Sequence, residues 1–256
     1  MADKPKRSLA RLLLGKVPDD QIQRAYRVRV TLFFALVVIV IAGLFLSYQL
    51  SHTFRDLYLV EGERDRWQRP DDVIESLKLK NGSVTADLGC GVGYFTLKLA
   101  PKVGEHGSVL AEDIFGESLT FLWIRALLHH ESNIRIIHGN PDNPLLPAGG
   151  VDSVLIANSY HEFTNPRAML DHTFRALRPG GLLVILDRGP RNYQGESRES
   201  QIQRYQIAAS IAEDEIRQAG FETVSRDDRF IDRPSADRPG DRPDDHVWWL
   251  ILARKP

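Results

Sequence analysis

Asp87-Leu88-Gly89-Cys90-Gly91-Val92-Gly93-Tyr94 decides how this 256-residue chain is read. The stretch closes a short run of strand character, Val84 to Leu88, and leads into Gly93 to Ala100, where a helix opens. Glycines let the backbone turn tightly and approach a ligand closely. Such a loop lies at the carboxyl end of a strand, where open α/β sheets bind ligands. A dinucleotide site needs G-x-G-x-x-G, with pyrophosphate on the helix N-terminus. Counted from Gly89, the third glycine of that pattern falls on Tyr94, so the match fails. Asp87 would also sit badly beside pyrophosphate; it suits a ligand with an amino group and a positive charge.

Outward from the loop, strand and helix patterns alternate. Pro70, Asp71 and Asp72 open a helix that runs to about Leu79, since proline and acidic residues suit a first turn. Further strands are read at Gly107 to Ile114, Ile134 to His138, Val151 to Ala157 and Leu182 to Leu186. Helices are read at Glu117 to His130, Pro166 to Leu177 and Ser200 to Ala219. Phe221 to Phe230 and His246 to Ala253 are two more strands with no helix between them, and are expected to pair antiparallel at one edge. The expected fold is α/β: a Rossmann-like, doubly wound, seven-stranded sheet, mostly parallel with an antiparallel last strand. The connection before the last strand repeats Asp-Arg-Pro from Asp232, Asp237 and Asp241. It reads as a stiff, solvated loop, with a lid or contact loop as the functional alternative.

Asp87 to Gly93 resembles the first motif of class I S-adenosylmethionine-dependent methyltransferases, and the resemblance continues in order. Val109-Leu110-Ala111-Glu112-Asp113-Ile114 resembles the second-strand motif, whose terminal acid binds both ribose hydroxyls; Asp113 aligns with that acid, with Glu112 as the alternative. Gly139 to Pro147 resembles the loop after strand three, where an acidic side chain receives the adenine amino group. Asp142 matches that position, while Asn140 stands where many relatives have aspartate. Val151 to Phe163, ending Asn158-Ser159-Tyr160-His161-Glu162-Phe163, resembles the fourth-strand motif that faces cofactor and substrate. Leu177-Arg178-Pro179-Gly180-Gly181 resembles the turn before strand five. The resemblance implies S-adenosyl-L-methionine as cofactor, held by Asp87, Gly89, Cys90, Gly91, Gly93, Tyr94, Glu112, Asp113, Asp142 and Asn158. It covers about Trp67 to Lys255. Arg64 to Val73, with its Trp-Gln-Arg-Pro, is similar to the lead-in of a bacterial small-molecule-type subgroup, whose members often carry an N-terminal export signal.

Methyl transfer from a sulfonium is an in-line displacement, so alignment and exclusion of water supply much of the acceleration. A general base is needed where the nucleophile holds its proton at neutral pH. His161 and Glu162 stand just beyond the fourth strand, where that base belongs, and an unperturbed histidine titrates at ~6.5. A structural hydrogen bond is the plainer alternative for His161. Tyr160 and Phe163 are read as shaping the pocket. The fourth motif is not Asn-Pro-Pro-Tyr, which disfavours amino-methyltransferases acting on adenine or glutamine amides. No metal is expected: the one cysteine, Cys90, builds no zinc site, and His129-His130 complement a helix dipole.

The N-terminal region departs from this pattern. Val30 to Ser51 contains no charged residue, and Leu32 to Leu46 reads LFFALVVIVIAGLFL. About 20 apolar residues span the ~30 Å hydrocarbon core of a bilayer. A buried core helix or a cleaved signal peptide are the alternatives; Tyr48-Gln49-Leu50 is no small-residue cleavage site, which favours an uncleaved signal anchor. The expected organisation is a basic segment (1–29), a transmembrane helix (30–51), a juxtamembrane linker (52–69) and a methyltransferase domain (70–256). Lys4, Lys6, Arg7, Arg11, Lys16, Arg24, Arg27 and Arg29 precede the span, whereas Arg55, Arg64, Arg66 and Arg69 follow it. The positive-inside rule then puts the N-terminus in the cytoplasm and the domain outside a single-pass span. The methyl donor is made in the cytoplasm, so the two readings conflict at this stage.

A formal net charge of -1, without a basic patch interleaved with aromatics, gives no reason to expect a nucleic-acid partner. The expected acceptor is a small molecule or a membrane-proximal lipid or quinone-like compound. Two alternatives stay open: a membrane-anchored, non-catalytic binding or assembly protein on the same fold, and a Rossmann oxidoreductase. The sequence leaves the oligomeric state open.

Overall fold

The computed structural model describes residues 19–232 and 246–256. Most of the Asp-Arg-Pro repeat and the start of the basic segment lie outside these residues. The chain divides into two compact units, Met1–Gly62 and Glu63–Pro256.

The described residues of the first unit are helical. Helix α1, Asp19–Trp67, runs unbroken for 49 residues and enters the second unit with its last turn. The residues read as a linker are therefore helical as far as Trp67. No proline interrupts them until Pro70, and the residue before a proline is pushed out of the α region. Arg69 takes a left-handed conformation (φ 54°, ψ 50°) and separates α1 from α2, Pro70–Ser76. Leu32, Phe34, Val38, Ile39, Leu44 and Phe45 are exposed along α1. Among the described residues it is the one helix long and apolar enough to cross a membrane.

In the second unit the elements follow as β1 (Val84–Leu88), α3 (Thr96–Val103), β2 (Ser108–Asp113), α4 (Gly116–Leu128), β3 (Ile134–His138) and β4 (Val151–Ala157). After β4 come a 3-10 turn (Tyr160–Glu162), α5 (Pro166–Ala176), β5 (Leu177–Pro190), α6 (Arg198–Ile202), α7 (Ala209–Gln218), β6 (Glu222–Ile231) and β7 (His246–Arg254). The seven strands form one sheet in the order β3-β2-β1-β4-β5-β7-β6. β1 to β5 are parallel; β7 runs antiparallel to β5 and to β6. The expected antiparallel pair forms the edge, with the last strand inserted inside β6.

The central strands are largely apolar on both faces because both faces are covered. In β4 and β5, Val154, Ile156, Leu183 and Ile185 pack with α5 and α7. Their neighbours Leu155, Val184 and Leu186 pack with α2 and α3 on the other face. β7 shows the same alternation with Trp248 and Trp249. Trp248 stacks on Trp67 with ring centroids 5.5 Å apart, while buried Trp249 donates Nε1–H to the Ile207 carbonyl at 2.7 Å. Complete burial of a Leu or Ile side chain contributes ~1.5–3 kcal/mol, so this two-sided core is what makes the sheet a rigid platform.

Two expected elements differ. The helix read over Ser200 to Ala219 is two helices, α6 and α7, separated at residues 203–208. Gln201 Oε1 accepts from the Ala208 N–H at 2.7 Å, and the Ile207 N–H donates to the Arg188 carbonyl at 2.8 Å. These bonds hold the break, and Ile207 drops into the core. The strand read over Leu182 to Leu186 extends to Leu177–Pro190. Its start is tied by Gly180 N–H to the Lys255 carbonyl and Lys255 N–H to the Gly181 carbonyl, each 2.9 Å, and its end by register with Val247 and His246.

Candidate active site

A cavity of about 440 Å³ opens at the carboxyl ends of β1, β2 and β4. Central parallel strands end there, exposing backbone groups and side chains that point past the sheet. β1 contributes Asp87, which is buried and accepts a 2.6 Å hydrogen bond from Thr96 Oγ1. Burial first, and then the Asp113 charge, push its carboxyl up to about 6 against the opposing Thr96 bond. The carboxyl is thus mainly ionised at neutral pH.

Gly89, Cys90, Gly91 and Val92 form the floor of the cavity. The Gly91 N–H donates to Asp113 Oδ2 at 2.8 Å. Gly93 does not line the cavity. It turns the chain into α3 at φ 91°, and an added Cβ would lie 2.3 Å from Leu122 Cδ1. Cys90 is buried, and burial together with Asp87, Asp113 and Glu112 pushes its thiol far up, so it stays protonated. Tyr94 lines one side, its hydroxyl donating to Asp65 Oδ1 at 2.7 Å.

The two acids ending β2 point to opposite faces and have different partners. Asp113 is held in the cavity wall, with Oδ1 accepting from the Phe115 N–H at 2.9 Å. Glu112 also reaches the cavity but is buried, and its Oε1 has no hydrogen-bond partner among the described residues. Burial, then the nearby Asp113 and Asp87 charges, push its carboxyl up to about 7. Gly139 makes room for it: a Cβ there would come within 1.8 Å of Glu112 Oε1. After β3, Asn140 and Pro141 line the cavity. Asp142, the residue matched by motif, is exposed and lies outside the cavity lining. The reason is local: Asn140 and Asn143 exchange backbone hydrogen bonds of 2.9 and 3.0 Å, which turn residue 142 outward.

The loop after β4 forms the opposite wall. Asn158 takes a left-handed φ of 60° and lines the cavity with Ser159, Glu162, Phe163, Thr164 and Met169. Tyr160 points the other way, into the core, and its hydroxyl donates to Glu215 Oε2 at 2.5 Å. It therefore supports the loop from behind. His161 is buried behind Glu162 and is not itself in the cavity wall. Asp187, fully buried on β5, faces its Nδ1 at 2.8 Å and also accepts the His161 backbone N–H at 2.9 Å. A carboxylate facing Nδ1 favours a proton on that nitrogen. Nε2 has no hydrogen-bond partner among the described residues and lies 3.7 Å from Glu162 Oε1.

Two residues of this arrangement escaped the sequence reading. Asp187 carries no motif signal of its own. Arg64, from the last turn of α1, lines the cavity beside Tyr94. For Arg64 the Arg64 to Val73 motif was the available signal.

Residues 86–185 match the family model described as a methyltransferase domain. The chain is 31% identical over 124 residues to the ubiquinone/menaquinone biosynthesis C-methyltransferase UbiE of Coxiella burnetii, covering 48% of this chain and 49% of that protein. It is 26% identical over 122 residues to the demethylmenaquinone methyltransferase of a Geobacillus species, covering 48% of this chain and 51% of the other. The chain thus spans about half the length of the curated relatives it matches. Among solved structures, a SAM-dependent methyltransferase from Aquifex aeolicus superposes with a TM-score of 0.58 at 21% identity, over 73% of this chain and 89% of the other.

Proposed function

We propose that residues 63–256 form an S-adenosylmethionine-dependent methyltransferase acting on a small, membrane-proximal acceptor of quinone-like chemistry. The observation that carries this reading is one cavity bounded by a glycine loop, by Asp87 on β1 and by Asp113 on β2. The fit is physical as well as positional. An added Cβ at Gly91 would meet nothing within 4 Å, so the loop backbone is open to a ligand. The wall carries the carboxyl groups of Asp87, Glu112, Asp113 and Glu162, which suits a cationic cofactor.

When bound, S-adenosylmethionine supplies a methyl group activated by its positive sulfonium. Asp87 is the acceptor for the amino group and Asp113 for the ribose hydroxyls. Asn140 and Pro141 border the adenine, the place that the motif gave to Asp142. Asn158, Phe163 and Met169 shape the acceptor side and exclude water. Glu162 takes the acceptor proton where one must leave, and His161 stands behind it with Nε2 ready to share that proton. Asp187 holds the ring in the required tautomer. The names of the two relatives, both concerned with quinone methylation, support the choice of acceptor class.

Helix α1 crosses the bilayer at residues 30–51 in this proposal. Supply of a donor made in the cytoplasm calls for the domain inside, against the basic residues before the span, which favour a cytoplasmic N-terminus with the domain outside. Protease protection of the domain in sealed vesicles decides between the two: digestion from the cytoplasmic side alone would put the domain inside. The activity is tested with the full chain in detergent micelles, methyl-labelled S-adenosylmethionine and short-chain demethylated naphthoquinols or benzoquinols. Label in the organic extract is the expected result. Cofactor binding without label transfer to any of these acceptors would count against the quinone-like class.

A further inference from the structure

We propose that Arg64, at the end of the membrane-type helix α1, is the receptor for the carboxylate of the bound methyl donor. The inference rests on the cofactor assignment above.

A donor with an amino-acid tail presents an ammonium and a carboxylate side by side. Asp87 answers the ammonium. The carboxylate needs a cation or a set of N–H donors, and the cavity wall is otherwise acidic. Among the described residues lining it, Arg64 is the one cationic side chain, against four carboxyl groups.

Arg64 is held in place for this role. Its Nε donates to Gln68 Oε1 at 2.8 Å, and Gln68 is fully buried. Its guanidinium lies over the Tyr94 ring, 3.8 Å from the centroid. Tyr94 is fixed in turn by Asp65, which also pairs with Lys98 Nζ at 2.8 Å. One face and one nitrogen of the planar fork are thereby set, and planar forks bind carboxylates with directed, paired hydrogen bonds. Arg64 also acts electrostatically on Asp87, lowering its pKa against the larger effect of burial. Arg64 and Asp87 line the same cavity, so a zwitterion held there meets both a cation and a carboxylate.

The residue that completes the donor site belongs to the same continuous helix as the apolar segment, and not to the sheet. Residues 63–67 are then part of the catalytic unit, and a boundary placed after them would remove a binding group.

The test compares two ligands on the full chain in detergent micelles, by equilibrium titration. S-Adenosylmethionine carries the carboxylate; decarboxylated S-adenosylmethionine keeps the amine, sulfonium and nucleoside but lacks it. Wild type is expected to bind the first more tightly than the second. Arg64→Ala is expected to weaken S-adenosylmethionine roughly tenfold to hundredfold, as for a lost charge-assisted hydrogen bond, and to leave the decarboxylated ligand within about twofold. Arg64→Lys, keeping the charge without the fork, should fall between. Equal weakening of both ligands in Arg64→Ala would mean a structural role and overturn the proposal, as would no weakening of either. Failure of wild type to bind either ligand would instead overturn the cofactor reading itself, and this inference with it.

Discussion

His161 Nδ1 lies 2.8 Å from Asp187 Oδ1, and both side chains are buried. The pair joins the loop after β4 to β5, and it favours a proton on Nδ1. Asp187 also accepts the backbone N–H groups of His161 and Arg188, at 2.9 and 2.7 Å. The carboxylate thus accepts two backbone N–H groups beside the ring, which orients it as the acceptor for an Nδ1–H. Long-range nitrogen–proton correlation spectra are expected to show His161 with Nδ1–H and an unprotonated Nε2. A proton on Nε2 in the resting protein would contradict the proposed relay to Glu162. His161→Gln should leave donor binding within about twofold while lowering turnover by roughly 10²-fold or more, the range for a lost acid–base group.

The choice between the two acids of β2 is open to direct titration. Asp113→Ala is expected to weaken donor binding by about 1.5–3 kcal/mol, as for hydrogen bonds involving a charged group. Glu112→Gln should change affinity little, since the side chain sits beneath Gly139 with a carboxyl pushed up to about 7. The reverse pattern, measured by calorimetry, would transfer the ribose role to Glu112.

Asp87 predicts opposite pH effects on binding and on stability. Its folded carboxyl is raised from 3.8 to about 6, so the folded state holds this proton more tightly than the unfolded chain. Unfolding then releases a proton between these values, and stability falls as pH rises from about 4 through about 6. Glu112, raised to about 7, extends the same trend upward. The unliganded protein should therefore melt higher at pH 5.5 than at pH 7.5, while donor affinity falls as pH drops below about 6 and Asp87 loses its charge. Asp87→Asn should raise the melting temperature and weaken donor binding at least tenfold. A melting temperature that rises steadily from pH 5.5 to 7.5 would count against the buried-carboxyl account.

Gly93 tests the packing of the loop apart from its chemistry. Alanine there must adopt φ 91° and place a Cβ 2.3 Å from Leu122 Cδ1. The expected cost is about 2 kcal/mol or more, from backbone strain and overpacking together. Chemical denaturation of Gly93→Ala measures it; a loss below about 0.5 kcal/mol would mean that the loop adapts.

Much of this architecture is legible in the sequence because its signals are local. Val84 to Leu88 and Val151 to Ala157 announce buried strands by short, largely apolar runs, and the glycine loop marks the strand-to-helix turn between Leu88 and Thr96. The break between α6 and α7 carries no such signal. It is imposed by contacts distant in sequence, Ile207 N–H to the Arg188 carbonyl and Trp249 Nε1–H to the Ile207 carbonyl, which outweigh the helical pattern of residues 200–219. The site divides in the same way. Asp87, Asp113 and Asn158 sit at strand ends and are found by motif. Asp187 acquires its partner only when β5 is laid beside β4, and Arg64 only when the end of α1 reaches Tyr94. Tyr160 follows the same logic in reverse: its motif position points to the pocket, but its ring is drawn into the core and its hydroxyl to Glu215.

The central claim is that the cavity around Asp87, Gly91 and Asp113 binds a methyl donor and not a dinucleotide. Calorimetric titration of the full chain in detergent micelles with S-adenosylmethionine, and separately with NAD, tests it most directly. Saturable binding of S-adenosylmethionine at one site per chain, with a dissociation constant on the order of micromolar (about -8 kcal/mol), and no saturable binding of NAD is the predicted result. A folded chain that binds NAD, or binds neither compound, would contradict it.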